Sequence, residues 1–576
     1  QIGNEHTQFL IDTRKVSIEP LKPFLESTEV KKVGHNLKFD YKMIKGSFGI
    51  ELEEVRCTYL GERVLNMGKY VGHNFALDDV LEERKLVSNL DKELQCSFVR
   101  HVGDFTAAQL EYAARDVLYT LPHARLLSAD LVKVSLDRTW LLESRVLPAF
   151  GDMEFAGQIL DVEQWKKVME RNRKSAEEAK QELDVFVIPF CSSNLFGELD
   201  TINYDSHAQL LDLLKRMGIM VKVRDAVTGE DREVLISKTD KATQKKLAHV
   251  PIIKMVAKYR AAQKGLSTYG ESYISAIHPK TGRIHPDVDQ LGTGTGRIAN
   301  RSGVSFLNIP RDNAYRHALI ADEDYVIETD DFSGCELRIL ADLSGEPTWI
   351  QAFLKNEDVH CTVASKLYGV PVTKKNENAK LRTPAKNLNF GLAYGMGPGK
   401  LCDDLNGAGF HITFKEAKDL YYNYVSTYKY AIGFLRDSGK LAVKQGYLAN
   451  VNGRRRYWKL PDPFDTDKYP EGMKSQDYRA RIAQIEREGG NFVIQSVNAD
   501  MTKSAMVEVR KYKKKHGIRT EIMNQIYDEL VTRTHKDDSV SFTEAKRRIM
   551  IEEANRSLRT VQMSVDGHVG PCWHKD

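Results

Sequence analysis

Two acidic sites almost two hundred residues apart offer the first chemistry in this sequence. In YVIETDDFSGCELRIL, a β-rich run from Tyr325 to Thr329 leads into Asp331. In MNQIYDELVTR, Asp528 and Glu529 interrupt a second apolar run. Carboxylates at the ends of separate strands can hold two divalent ions, which activate a hydroxyl and stabilise a departing phosphate. Asp330 is expected on the opposite face of its strand from Asp331. Taken singly, the first motif would pass for an acidic turn capping the helix that begins near Glu336, and the second for a surface hairpin presenting Asp528.

Between the acids lies RTPAKNLNFGLAYG. Arg382, Lys386, Phe390 and Tyr394 recur every four residues, a slowly winding stripe at about 100° per residue. Two cations near a helix start suit a triphosphate, and two aromatic rings offer flat surfaces to a sugar and a base. Pro384 falls in the first turn, where proline is tolerated. A second stripe, Arg487, Asn491 and Gln495, lies in REGGNFVIQSVNAD. Its amides suit minor-groove acceptors, which look alike for every base pair. Gly489 and Gly490 inside that helix cost about 1 kcal/mol each relative to alanine, and would let a backbone or a nucleic acid approach closely. Arg297 sits in a Gly/Thr-rich loop, TGTGRIANR, and KYRAAQKGLSTY supplies Arg260 and Lys264 for phosphate contacts. RKYKKKH (510–516) reads as a solvated helix end.

The elements that must position these groups fill 576 residues, long for one core, so several domains are expected. A net charge of +4 permits nucleic-acid binding without demanding it. Seven cysteines show no metal-ligand spacing and are expected as unpaired thiols in a reducing compartment. No run is long and apolar enough to span a membrane, and no signal peptide is apparent, so a cytoplasmic location is expected, with an organelle left open by the N-terminus. Residues 1 to about 130 read as mixed α/β: strands at TQFLID and KVGHN, a helix opened by FDYKMIKG, and an amphipathic helix from Ala107 with Leu110, Ala113, Val117, Leu118 and Leu121 on one side. From about 137 to 280 the chain is mostly helical, with a glycine cap at Gly218, a hydrophilic turn around Gly229 and a long basic helix from about Thr243 to Thr268.

The ordered set DDFSGCELR, RTPAKNLNFGLAYG and QIYDELV resembles motifs A, B and C of family A DNA polymerases, the DNA polymerase I type. TGRIANRSGVSFLNIPR, GYLANVNGRRRYW and REGGNFVIQSVNAD resemble further segments of that family. GHNLKFD, with Asn36 and Asp40, and YAARD, with Tyr112 and Asp116, resemble the second and third motifs of its 3′–5′ proofreading exonuclease. The first exonuclease motif, an Asp-x-Glu, is expected upstream of Gln1, which implies a cropped N-terminus.

The resemblance implies an α/β ribonuclease-H-like exonuclease domain (1–130) followed by an α+β right-hand polymerase domain (131–576). The thumb would span about 165–280, the palm about 281–349 and 471–576, and the fingers about 350–470. No 5′-nuclease domain is expected, an outline that suits a phage or a dedicated replicative enzyme as well as a trimmed fragment. The activity implied is template-directed addition of dNMP to a primer 3′-OH, with dNTPs and primer–template DNA as partners. The enzyme would be a monomer, alone or with a processivity factor. Asp331 and Asp528 would hold two Mg²⁺ ions, with Mn²⁺ able to substitute, and Glu529 would support them. Asp40 and Asp116 would be metal ligands of the exonuclease. Arg382, Lys386 and His360 would bind the triphosphate, with Lys386 able to protonate the leaving group. Glu336 would be the gate against a ribose 2′-hydroxyl, Phe390 would pack on the incoming sugar, and Tyr394 would stack near the template base. Arg297, Arg487, Asn491 and Gln495 would read the shape of the new pair. Tyr527 stands where the family usually has histidine, and its phenol would contact the DNA at the primer end; Gly334 and Cys335 replace a polar–aliphatic pair, a change that predicts an altered tolerance for modified nucleotides. A single-subunit RNA polymerase is disfavoured by Glu336 and the exonuclease motifs. A non-catalytic nucleic-acid binder would not need Asp331, Asp528, Arg382 and Lys386 together.

Overall fold

In the computed structural model, the described residues are 1–70, 72–87, 94, 97–98, 101–191, 201–224, 231–240, 243–244, 247, 250–393, 395–407, 410, 412–462 and 475–574. The central element is a four-stranded antiparallel sheet. Its strands run in the order Thr520–Ile526, Glu529–His535, Tyr325–Phe332, Val565–Gly570. The Tyr325 strand continues through both aspartates to Phe332, three residues beyond the apolar run. Its polar residues survive inside the sheet because the Lys536–Asn555 helix brings a cation beneath it. Lys546 Nζ lies 3.2 Å from Glu328 and 2.7 Å from Asp330, and all three are fully buried.

The 42-residue helix Ser475–His516 packs against the Lys536–Asn555 helix and along the Lys429–Gln445 helix. Gly489 and Gly490 make that packing possible. A Cβ added at Gly489 would lie 2.8 Å from the Cβ of Ala442, and one at Gly490 would lie 3.1 Å from the carbonyl oxygen of Leu435. The helix glycines therefore admit a neighbouring helix.

Near the N-terminus, Lys32–Gly34 and Val55–Cys57 form a parallel pair flanked by the helices Leu37–Phe48 and Ala107–Lys133. The buried face of the second helix differs from the expected stripe. Leu110 is exposed, and the buried positions are Gln109, Ala113, Thr120, His123, Ala124, Leu127 and Leu131. Polar members are tolerated there because they are bonded: a ring nitrogen of His123 lies 2.9 Å from Glu62, which also accepts from Arg84 at 2.6 Å. The same helix runs to Lys133, past the expected boundary at 130.

Between 137 and 280 the helices Val162–Val187 and Pro251–Tyr269 pack together. Gly218 takes a left-handed φ of +67° just after the His207–Arg216 helix, as a C-terminal cap requires. The turn around Gly229 lies outside the described residues, but the strands flanking it, Met220–Arg224 and Asp231–Leu235, pair as a hairpin.

In the 510–516 segment Lys511, Lys514, Lys515 and His516 are exposed, as a solvated helix end requires, but its first residue departs from the expectation. Arg510 is buried, not solvated. Its Nε donates to Asp152 at 2.7 Å, Nη1 to Glu53 at 2.7 Å and Nη2 to Glu51 at 3.1 Å. Lys514 reaches Glu51 at 2.6 Å. The run of cations ties the long helix to the N-terminal region, a contact invisible to local charge counting.

Candidate active site

Strand register brings the two acidic motifs together. Asp331 pairs directly opposite Glu529, and the Phe332 amide donates to the Asp528 carbonyl at 3.4 Å. Tyr527 and Asp528 form a two-residue turn between strands that end at Ile526 and restart at Glu529. Tyr527 accepts a left-handed φ of +58° there, a conformation costly for a bulky residue and characteristic of functional turns. The adjacent acids divide the problem of burial. Asp528 stays partly accessible in the turn, while Glu529 is 1% exposed and accepts a hydrogen bond from the Trp573 indole at 2.9 Å. Asp330 faces away from Asp331, as alternation demands, and accepts from Arg547 Nε at 2.6 Å.

The helix Cys335–Ser344 starts at Gly334, whose φ is +62° and which supplies no side-chain cap. The acids are therefore not spent on capping. Glu336, in its first turn, accepts from Arg297 Nη2 at 2.6 Å, and the Arg297 guanidinium lies 5.3 Å from the centre of the Tyr527 ring. Arg297 thus joins the two acidic motifs. Burial, together with the negative field of Asp528 and Glu336, drives the Cys335 thiol well above its ordinary pKa, so it stays protonated.

Arg382 opens the helix Arg382–Ala393. Its Nη2 donates to Asp358 at 2.8 Å, and the same carboxylate caps the Val359–Tyr368 helix by accepting from the Cys361 amide at 3.0 Å. The guanidinium and the cap hold Asp358 far below the usual carboxylate range despite its partial burial. His360, the second residue of that helix, has its ring nitrogen Nδ1 2.8 Å from Asn389 Nδ2. Burial pushes its pKa down to about 4, against the pull of Asp358 and with the help of Arg382 and Lys386, so the ring is neutral at pH 7. Lys386 is exposed. The backbone of Phe390 is helical, but its side chain and all of Tyr394 lie outside the described residues.

Arg487 is exposed, and Asn491 and Gln495 are half-buried at successive turns of the long helix. Gly395 packs against this stripe; a Cβ there would lie 2.6 Å from Arg487 Cγ. Lys264 is exposed, whereas Arg260 turns inward and donates to the Tyr204 carbonyl at 2.8 Å.

A separate cleft of about 560 Å³ gathers Asn36, Asp40, Tyr112 and Asp116. Asn36 holds a left-handed φ of +56° just before the Leu37–Phe48 helix. Asp78, which the motif reading overlooked, lines the same cleft, as do Asp289 and Arg301 from beyond the N-terminal region. Burial and the charges of Asp78 and Asp40 raise the Asp116 carboxyl to about 6, and burial raises Asp40 as well. Asp78 was hidden because its neighbours in ALDDVLEE read as an ordinary acidic helix start.

Residues 171–575 match the model for DNA polymerase family A, and residues 1–131 match that for the 3′-5′ exonuclease. The chain belongs to DNA polymerase family A. Among similar family members, DNA polymerase I of Chloroflexus aurantiacus is 28% identical over 96% of the chain and 56% of its own length. DNA polymerase I of Pseudomonas aeruginosa is 27% identical over 97% of the chain and 58% of its length. The chain therefore spans little more than half of these relatives. The solved POL domain of Pol1 from M. smegmatis, in complex with DNA primer-template and dNTP, superimposes with a TM-score of 0.78 at 25% identity, covering 98% of this chain and 90% of that one. The family assignment accounts for the expected order of an exonuclease domain followed by a polymerase domain. Among the described residues, no helix is long and apolar enough to cross a membrane, and the six described cysteines are free thiols.

Proposed function

We propose that this chain is a DNA-directed DNA polymerase that extends a primer 3′-OH with dNTPs, carrying a proofreading 3′–5′ exonuclease domain. The observation that carries the reading is the register of Asp331 against Glu529, with the Phe332 amide on the Asp528 carbonyl, which brings the two acidic motifs together at one end of the sheet. We place the thumb at about 165–280, the palm at about 281–349 and 471–576, and the fingers at about 350–470.

Among the described residues no group of three or more His, Cys, Asp or Glu side chains could hold a metal ion. Two carboxylates alone still fit Mg²⁺, which keeps several waters and takes substrate phosphate oxygens to complete its shell. Asp331 and Asp528 would hold the ions, which when bound supply charge neutralisation at the 3′-oxygen and the triphosphate. Glu529 fixes the hairpin through Trp573. Asp330, paired with Lys546 and Arg547, holds the strand. Arg382 and Lys386 bind the triphosphate, and a polyanion entering beside Arg382 competes with Asp358 for that cation. Neutral His360 offers a hydrogen bond, not a charge. Glu336 fills the place of a 2′-hydroxyl. Catalysis is positioning plus electrostatics, with little covalent work for the protein.

Extension of a labelled primer–template with Mg²⁺ and dNTPs tests the reading. Full extension by the chain and its loss in Asp331→Asn support it; a chain that binds the duplex but never extends it overturns it. A lane without dNTPs reads the exonuclease as primer shortening.

A further inference from the structure

The Gly453–Arg456 segment, GRRR, has no part in the function proposed above, yet it holds deeply buried charge. Arg454 is 1% exposed. Its Nε donates to Asp500 at 2.7 Å, and its Nη2 pairs with Glu143. Lys503 donates to the same Glu143 oxygen at 2.6 Å and to the Gln290 carbonyl at 2.9 Å, and Asn450 donates to Asp500 at 2.8 Å. Two acids and two bases, all buried, balance one another. Such a cluster is rigid, because displacing any member strands a buried charge.

The remaining nitrogen of Arg454, Nη1, has no hydrogen-bond partner. The flat of the Arg454 guanidinium lies against Gly296, where an added Cβ would lie 2.8 Å from both Nη1 and Cζ and 2.9 Å from Nε, at a φ of +82°. Two residues on, Arg456 does the same for Gly294: a Cβ there would lie 2.8 Å from its Nε. Arg456 is itself held by Glu488 at 2.5 Å and by the Trp458 ring, 4.8 Å from its guanidinium. The Gly/Thr loop is closed by local bonds, Gly296 N to Thr293 O at 3.0 Å, Thr293 N to Arg297 O at 3.2 Å and Thr293 Oγ1 to the same carbonyl at 3.1 Å. A glycine-rich loop has much conformational freedom to lose, and two fixed guanidinium groups remove it. The next residue is Arg297, which reaches Glu336.

We propose that Arg454 and Arg456 are positioning residues that hold the Gly292–Gly296 loop so that Arg297 meets Glu336, and thereby set sugar selectivity. The selectivity half rests on the reading of Glu336 as the sugar gate. Through Glu488, Asp500 and Lys503, the long helix that presents Arg487, Asn491 and Gln495 also fixes this loop.

Arg454→Met leaves two buried acids to one cation and endangers the fold, and a side chain at Gly296 would press on Arg454, so the test uses Arg456→Gln and Gly294→Ala, which leave the four-charge cluster alone. Amide hydrogen exchange over residues 291–297 is expected to rise about tenfold or more in both, with the Tyr325–Phe332 strand unchanged. Discrimination of dNTP over rNTP, from separate kcat and KM in single-nucleotide incorporation, is expected to fall about tenfold, and Arg456→Gln is expected to add less than about twofold in an Arg297→Ala background. Unchanged loop exchange overturns the positioning. Faster loop exchange with additive losses confines it to the loop and overturns the link to selectivity. If the unmutated chain extends no primer, the polymerase reading fails, while the exchange measurement still decides the positioning of the loop.

Discussion

Arg297 and Glu336 are 39 positions apart, come from different motifs, and meet in a 2.6 Å ion pair that also places the guanidinium over Tyr527. A loop, a helix start and a hairpin turn thus share one cation beside the paired carboxylates. Glu336→Ala removes both the proposed gate and Arg297's partner. Incorporation of rNTP is expected to rise relative to dNTP by at least about tenfold, while dNTP incorporation falls less. Steady-state single-nucleotide kinetics checks this, and an unchanged ratio would remove Glu336 from sugar selection.

Neighbouring acids on one strand are expected to fail differently. Asp331→Asn should lower kcat by on the order of a thousandfold while leaving the melting temperature and duplex affinity near normal, because it strips charge from the reacting centre. Asp330→Asn should instead cost about 3–5 kcal/mol of stability, since it breaks a fully buried pair with Lys546 and leaves that charge poorly compensated. Parallel denaturation and extension assays separate the two; equal behaviour would contradict the face assignment.

Arg510 joins Asp152, Glu51 and Glu53 where the long helix meets the N-terminal region. Arg510→Met is expected to destabilise that junction by about 3 kcal/mol, because three acids lose their principal buried partner. Calorimetry should then show the N-terminal region melting ahead of the rest. A single unshifted transition would mean that Lys45 and Lys514 suffice.

Asp116 carries a pH signature. Its folded pKa, about 6, lies above its ordinary value of 3.8, so its charge opposes folding. The penalty is full above pH 6, shrinks as pH falls from 6 towards 4, and vanishes below both values. Asp116→Asn should therefore stabilise the metal-free chain at pH 7 by on the order of 1 kcal/mol, after discounting for solvent screening, with the gain gone at pH 4. Equal melting of both chains at pH 7 would show that Asp116 is not held against its charge.

The sequence by itself determined the chemistry on offer. Alternation separated Asp330 from Asp331, four-residue spacing lined up Arg487, Asn491 and Gln495, and Gly218 marked a helix end, because each depends only on local backbone geometry. The apolar runs around Asp331 and Asp528 marked strands for the same reason. Only the tertiary structure decided which groups meet. No local pattern could pair Arg382 with Asp358, bury Arg510 against acids more than 350 positions away, turn Arg260 inward, or bring Asp78 beside Asp116. Nor could local hydrophobicity find the buried face of the Ala107–Lys133 helix, where Gln109 and His123 go inside and Leu110 stays out. A buried polar group is tolerated only when a partner completes it, and that partner comes from elsewhere in the fold.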